Sequence, residues 1–140
     1  MQLWLREEAL KAKLRTRAEI LAAAVMVLRG QPEIAGAWTQ EEIASKVLDP
    51  EAGPRQRGIP ERVKLSVVPG RSGDILLALA PFFTFDEPPD VVSHGSPWDY
   101  DRRIPLVFWG PWRPERRTEP VRSVDLAPTL AKEFGLRPAE

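Results

Sequence analysis

Cysteine is absent from this chain of 140 residues, and histidine occurs once, at His94. The absence of cysteine excludes disulfides and thiolate metal sites, although it leaves the redox compartment open. Excess charge of either sign is absent too, since 20 basic residues balance 20 acidic ones. A net charge of zero argues against nucleic acid or an anionic membrane as a dominant partner.

The sequence also lacks a long hydrophobic run. The apolar stretch from Ile20 to Leu28 is too short to cross a bilayer, which needs about 20 residues. It does not follow a basic N-terminal stub with a small-residue cleavage site, so it is a poor signal peptide. We therefore expect a soluble chain without a membrane partner, and the sequence assigns it to no compartment.

Helix and strand patterns alternate along the chain. Capping-box spacing predicts helices that begin after Thr16, with Glu19, and after Thr39, the second running to about Leu48. Asp125 is the expected N-cap of a last helix. Apolar runs bounded by turn residues predict strands. These runs are Leu3–Leu5, Ile34–Trp38, Asp74–Ala80 and Pro105–Trp109. This alternation predicts an α/β fold, and the last two runs are apolar enough for strands buried on both faces.

Two stretches carry little periodic pattern. Residues 49–60 are rich in proline and glycine and predict an exposed loop, while Glu61–Val68 is open between helix and strand. Residues 81–104 are mostly irregular, and a long loop in a compact domain is usually functional or disordered. This second loop carries His94 on a Gly/Ser/Pro turn beside an apolar run. A neutral imidazole held rigidly there is what a metal site needs from one ligand.

Each residue of this loop also has an ordinary structural explanation. A lone histidine such as His94 is more often a hydrogen-bonded residue than a metal ligand. Asp99 and Asp101 could be metal ligands or an acid–base pair. However, closely spaced carboxylates in a turn more often cap backbone N–H groups or pair with neighbours such as Arg102 and Arg103.

Three other features suggest chemistry only weakly. Ser72 and Ser96 lack the Gly-x-Ser-x-Gly spacing of a nucleophile, so both are expected to be turn serines. Gly70–Gly73 lacks the spacing and the lysine of a phosphate loop and predicts a tight turn. The stretch Trp109–Arg117 mixes aromatic and cationic residues, as single-strand binders do. With zero net charge, a solvated loop or a subunit contact is the favoured interpretation.

Four segments occur in an order that is typical of one enzyme class. They are Gly70–Asp74, Ser93–Asp101, Pro105–Gly110 and Val124–Leu130. Together they resemble the C-terminal part of the alkaline phosphatase superfamily, in particular its bacterial alkaline phosphatases and type I phosphodiesterase/nucleotide pyrophosphatases. That family shows a His-Gly-Ser-Pro-Tyr-x-Tyr-Asp segment, a strand ending in glycine, and a Val-Asp-Ile-Ala-Pro-Thr-Leu helix.

The resemblance implies both a fold and a metal site. The implied fold is the C-terminal portion of an alkaline-phosphatase-like α/β sandwich, a mixed sheet with flanking helices, in which residues 1–140 form a single partial domain. The family binds two zinc ions about 3.5–4 Å apart, and its His-Gly-Ser-Pro histidine, a zinc ligand, corresponds to His94. The family's threonine nucleophile and other ligands correspond to nothing here and would precede Met1.

The resemblance thus predicts the C-terminal segment of a zinc-dependent phosphate-ester hydrolase, inactive alone and of a family often exported. A first alternative is half of a split enzyme, whose partner is a separate N-terminal half. A second is a non-catalytic interaction module in which Trp109–Trp112 matters and His94 does not. Self-association is also expected if strand edges lack their partners. The substrate, the choice between mono- and diesters and the oligomeric state are not predicted.

Overall fold

The computed structural model covers all 140 residues and describes residues 1–8, 15–85, 92–111 and 113–137. Trp112 and part of the predicted loop, residues 86–91, lie outside the described residues. The chain divides into two compact units, each described here by itself. The first comprises Met1–Pro50 and Gly58–Pro105, and the second comprises Glu51–Arg57 and Leu106–Glu140.

A three-stranded antiparallel sheet forms the centre of the first unit, with the order β1-β3-β2. The strands are β1 (Gln2–Leu3), β2 (Ile34–Thr39) and β3 (Ile75–Leu79). Gln2 pairs with Leu76, and Trp38 also pairs with Leu76 from the other side. The strands predicted at 34–38 and 74–80 are confirmed, whereas the strand predicted at 3–5 is shorter and begins one residue earlier.

Helix α1 (Arg17–Arg29) packs on one face of this sheet. Its capping box is confirmed: the Thr16 hydroxyl accepts the Glu19 N–H at 3.3 Å, and the Glu19 carboxylate accepts the Thr16 N–H at 2.7 Å. From α1, Val25 enters a buried cluster with four sheet residues. These are Ile34, Ala37, Ile75 and Leu77. Leu21, Ala24 and Leu28 of the same helix pack against this cluster, so this face of α1 forms core.

Two short helices cover the other face of the sheet. Helix α2 (Gln40–Ala44) begins at the predicted Thr39 cap but ends before Leu48. Helix α3 (Ile59–Lys64) begins inside the stretch expected to be a loop and settles the open 61–68 segment as helix up to Lys64. Ile43 of α2 and Val63 of α3 form a second buried cluster with Leu76. Strand β3 is therefore buried on both faces.

The α/β class is confirmed at the level of a small sheet with helices, which is too short to define a sandwich. The mixed sheet expected from the resemblance is not formed by the described strands, because both pairings of β3 are antiparallel. The continuous apolar pattern of β3 arises from the helices packed on its two faces rather than from parallel neighbours. Apolar pattern reports burial and not strand direction.

The strand predicted at 105–109 is wrong. Residues 104–109 are all described, and they form no strand. Their side chains are exposed, with Val107 at 81% and Trp109 at 96%. A strand requires a neighbour that completes its backbone hydrogen bonds, and the described sheet pairs only β1, β2 and β3.

Helices α4 (Asp99–Arg102) and α5 (Leu126–Glu133) follow, the latter in the second unit after a 3₁₀ turn at Ser123–Asp125. Asp125 lies at the predicted N-cap of α5 but makes no side-chain cap, since its carboxylate accepts from the Arg122 guanidinium at 3.0 and 3.1 Å. Across the described parts of the chain, no helix has the length and apolar character needed to cross a membrane.

Candidate functional site

The only histidine lies on a surface loop between β3 and α4, called here the His94 loop (residues 92–98). Val92 to Gly95 are exposed, and Ser96 to Trp98 are half-buried. The imidazole of His94 is thus open to solvent, while the following residues anchor the loop to the first unit. An exposed imidazole on an anchored loop is free to accept an external partner, unlike a buried structural histidine.

Glycine is required at the turn after the histidine. Gly95 has φ +89°, a left-handed conformation that residues with a Cβ adopt only with strain. No described atom lies within 4 Å of the position that a Cβ would take. The requirement is therefore one of backbone conformation and not of space, and the turn sets the direction in which the chain leaves His94.

Asp101 closes this turn from helix α4. Its Oδ2 accepts the Ser96 N–H at 2.5 Å. This bond, with the Ser96 hydroxyl and the nearby His94 imidazole, holds the pKa of the Asp101 carboxyl below its usual value, although partial burial opposes the shift. Hydrogen bonds to the ionised form of a carboxyl lower its pKa. The prediction that an aspartate here caps backbone N–H groups is confirmed for Asp101.

The Asp99 carboxylate is paired with three arginine side chains. Its carboxylate lies 2.7 Å from Arg103 and 3.3 Å from Arg102, as the sequence predicts, and 3.1 Å from Arg62. Three guanidinium groups around one carboxylate take up its oxygen lone pairs. Asp99 is therefore a structural charge rather than an available metal ligand.

Arg62 was not predicted and is the main long-range anchor of the loop. It projects from α3 with a side chain only 12% exposed, and its Nη1 donates to the Pro97 carbonyl at 3.0 Å. Its Nε is buried and finds no hydrogen-bond partner among the described residues. In addition, the Trp98 indole donates to the Leu79 carbonyl at 2.9 Å. The loop is thus attached to both α3 and β3.

An aromatic pair links α4 to the residues that follow β3. The rings of Phe82 and Tyr100 are stacked with centroids 4.4 Å apart, and the Phe82 N–H donates to the Tyr100 hydroxyl oxygen at 2.9 Å. Phe82 has φ +62°, a conformation that is uncommon outside glycine. The contacts with Tyr100 hold this residue in place and fix the segment that leaves β3.

A shallow cleft of about 240 Å³ adjoins the loop. Its wall includes Gly95, Ser96, Pro97, Arg62, Leu76 and Arg102. Both arginines face Asp99 as well, so the positive charge along this wall is already compensated. The cleft is therefore bordered by the residues that anchor the loop.

The described residues do not fit a complete zinc site. They contain no group of three or more histidine, cysteine, aspartate or glutamate side chains placed to hold a metal ion. A catalytic zinc uses three protein ligands and a water. Of the nearby acids, Asp99 is paired with arginines and Asp101 with a backbone N–H. His94 offers a single donor, and no catalytic step follows from the described residues alone.

The two serines considered as nucleophiles make hydrogen bonds within turns. The Ser72 hydroxyl accepts the Val68 N–H at 2.9 Å, in the turn where Gly70 has φ +75°. The Ser96 hydroxyl accepts the Trp98 N–H at 3.4 Å. The tight turn predicted at 70–73 and both turn serines are confirmed.

Comparison with known proteins points to phosphatases. No known family profile matches the chain. The chain is similar, however, to two alkaline phosphatases, a class of hydrolases, and matches the C-terminal part of both.

The alkaline phosphatase PhoD of Zymomonas mobilis is 37% identical over 120 residues, which is 84% of this chain and 21% of that protein. The alkaline phosphatase PhoK of a Sphingomonas species is 36% identical over 121 residues, 82% of this chain and 21% of that protein. A protein named calcium-transporting ATPase from Myroides odoratus is 29% identical over 138 residues. The chain spans about a fifth of the length of the curated relatives that it matches.

Proposed function

We propose that this chain is the C-terminal segment of a zinc-dependent phosphate-ester hydrolase and that His94 is one of the zinc ligands. The observation that carries the proposal is the similarity to two alkaline phosphatases over more than four-fifths of the chain. The exposed imidazole on an anchored loop supports it, because a ligand must be both accessible and held in position.

The described residues hold His94 in position and do not themselves supply the reacting groups. Gly95 sets the turn, Asp101 closes it, and Arg62 attaches it to α3. The nucleophile and the remaining ligands belong to residues that correspond to nothing in this chain. Alone, the chain is expected to hydrolyse no phosphate ester.

The first experiment uses a chimera in which residues 1–140 replace the matched segment of the Zymomonas phosphatase. Zinc-dependent hydrolysis of an aryl phosphate is measured for the chimera and for its His94→Ala variant. The control is Val92→Ala, which changes a side chain 91% exposed on the same loop. We expect a loss of at least 100-fold for His94→Ala and none for the control. A chimera that hydrolyses equally well without the imidazole contradicts the assignment.

The same assay on the isolated chain tests the expected inactivity. Zinc-dependent turnover that disappears in His94→Ala would contradict it and would mean that residues 1–140 suffice for a site. If activity appears only on mixing with a second polypeptide that carries the other motifs, the split-enzyme alternative is supported.

The second candidate function is a non-catalytic interaction module. The exposure of Trp109, at 96%, favours it, because large exposed aromatic side chains often mark binding surfaces. A His94→Ala substitution that leaves the physiological activity intact would favour this module over the hydrolase segment.

A further inference from the structure

The carboxylate of Asp101 collects hydrogen bonds from the two residues that follow the histidine. Its Oδ2 accepts the Ser96 N–H at 2.5 Å, and the Ser96 hydroxyl and the Gly95 N–H also donate to the carboxylate. The His94 imidazole lies near enough to interact with it electrostatically. One side chain thus interacts with three consecutive residues of the loop.

Gly95 is a flexible point between the histidine and the anchored part of the loop. Its φ of +89° is a conformation that glycine enters and leaves at little cost. No described atom lies within 4 Å of the position that a Cβ would take, so packing there does not hold the turn. The bond from Arg62 reaches the loop only at the Pro97 carbonyl, beyond the turn. The hydrogen bonds to Asp101 restrict the turn itself.

Asp101 is in turn fixed by two attachments of its own short helix, α4. The neighbouring Asp99 pairs with Arg62 of α3 at 3.1 Å. The Tyr100 hydroxyl accepts the Phe82 N–H at 2.9 Å, which ties α4 to the residues after β3. The carboxylate is therefore a fixed acceptor, held by the first unit, to which the turn after the histidine is bonded.

This arrangement is the one expected of a residue that supports a metal ligand without binding the metal. Histidine ligands commonly have a carboxylate or carbonyl partner that orients the ring and makes it a better donor. The carboxylate of Asp101 is directed to the N–H and O–H groups of the loop, and it places a negative charge beside the imidazole.

We propose that Asp101 is the positioning residue for His94, because its carboxylate holds the Gly95–Ser96 turn and thereby fixes the direction of the imidazole. This inference rests on the proposed function, which gives the imidazole its role as a zinc ligand. Asp101 acts through the histidine, so its removal should weaken zinc binding only while His94 is present.

The first measurement follows the turn in the isolated chain. Backbone ¹⁵N relaxation of Gly95 and Ser96 gives their order parameters, which are about 0.85 in rigid backbone and below about 0.6 in flexible backbone. We expect rigid values in the unsubstituted chain and flexible values in Asp101→Ala. Glu115→Ala, which removes an exposed carboxylate of the second unit, is the control and should leave both values unchanged.

The second measurement is a double-mutant cycle in the chimera described above, with zinc affinity determined by competition with a chromophoric chelator. Asp101→Ala should weaken zinc binding about 10–100-fold, the usual effect of losing such a partner. Asp101→Asn should weaken it by about 3–10-fold, because an amide oxygen accepts less strongly than a carboxylate. Adding Asp101→Ala to His94→Ala should cause no further loss, since the two residues act as one unit.

The outcomes separate the positioning role from the proposed function. Unchanged order parameters in Asp101→Ala overturn the positioning role, and so does a loss of zinc affinity that is equally large without His94. Unchanged zinc affinity in Asp101→Ala beside a loss in His94→Ala overturns it too, and leaves the proposed function intact. A loosened turn with zinc affinity unchanged in His94→Ala supports the hold on the turn and contradicts the proposed function. If Asp101→Ala prevents folding, Asp101→Asn decides in its place by the same criteria.

Discussion

Arg62 provides the sharpest test of how the His94 loop is held. Substitution Arg62→Met keeps most of the aliphatic volume but removes the guanidinium. The loop then loses the 3.0 Å bond to the Pro97 carbonyl and the 3.1 Å ion pair with Asp99. The carboxylate of Asp99 retains its two other arginine partners, so it is not left as an uncompensated charge.

The expected net loss of unfolding free energy is about 1 kcal/mol, because the lost contacts are partly offset. A hydrogen bond from a charged donor contributes about 1.5–3 kcal/mol, and an ion pair to a half-exposed carboxylate adds at most about 1 kcal/mol. Removing the buried Nε of Arg62, which lacks a partner among the described residues, returns part of this loss. An unsatisfied buried donor costs about 1–3 kcal/mol.

Arg103→Met is the matched control, and urea unfolding followed by circular dichroism is the assay. Arg103 lies closer to Asp99, at 2.7 Å, but its side chain is 57% exposed against 12% for Arg62. Solvent screening should limit its cost to about 0.3–0.5 kcal/mol, the value of exposed ion pairs four positions apart. If Arg103→Met destabilises the protein as much as Arg62→Met does, burial does not decide the strength of these contacts and the reasoning fails.

Three further substitutions test local features of the first unit by the same unfolding assay. Gly95→Ala should lower the free energy of unfolding by about 1–2 kcal/mol because Gly95 has a positive φ. Gly30→Ala, at φ −82°, is the control and should not have this cost. Equal costs would contradict the argument from backbone conformation. Thr39→Ala should cost about 1 kcal/mol by removing the cap on Glu42 N–H, and an unchanged midpoint would exclude that cap. Burial raises the pKa of Asp74, but the Leu5 N–H and the Arg17 guanidinium outweigh it, so the pKa is lowered. The stability that Asp74 contributes is therefore present above its unfolded pKa and is lost as pH falls below about 4. Asp74→Asn should remove this loss from the plot of stability against pH. An unaltered plot would contradict the argument.

The features that the sequence predicts well are local ones. Both capping boxes, at Thr16 and Thr39, involve residues three positions apart, and such hydrogen bonds depend only on the helix start itself. The burial of β3 was also predictable, because a run without polar positions excludes an exposed face. The position of His94 on a loop follows from the Gly/Ser/Pro residues around it.

The long-range contacts of the candidate site were not predictable from the same patterns. Arg62 and Pro97 are 35 positions apart, and no local spacing relates a helix arginine to a carbonyl in a distant loop. Helix α3 itself was ambiguous because it is only six residues long, too short for a clear helical period. The strand predicted at 105–109 does not form and its residues are exposed, because an apolar run does not identify the neighbouring strand that it needs.

The contacts of the His94 loop show which residues position the histidine. The residues that place His94 belong to this chain: Gly95 turns the backbone, and Arg62 and Trp98 attach the loop to α3 and β3. None of these attachments uses the imidazole, which is exposed. The contacts that position the histidine are therefore made within the first unit. Under the proposed function, such preorganisation reduces the ordering cost of metal binding, because His94 would join ligands from elsewhere without refolding of its loop.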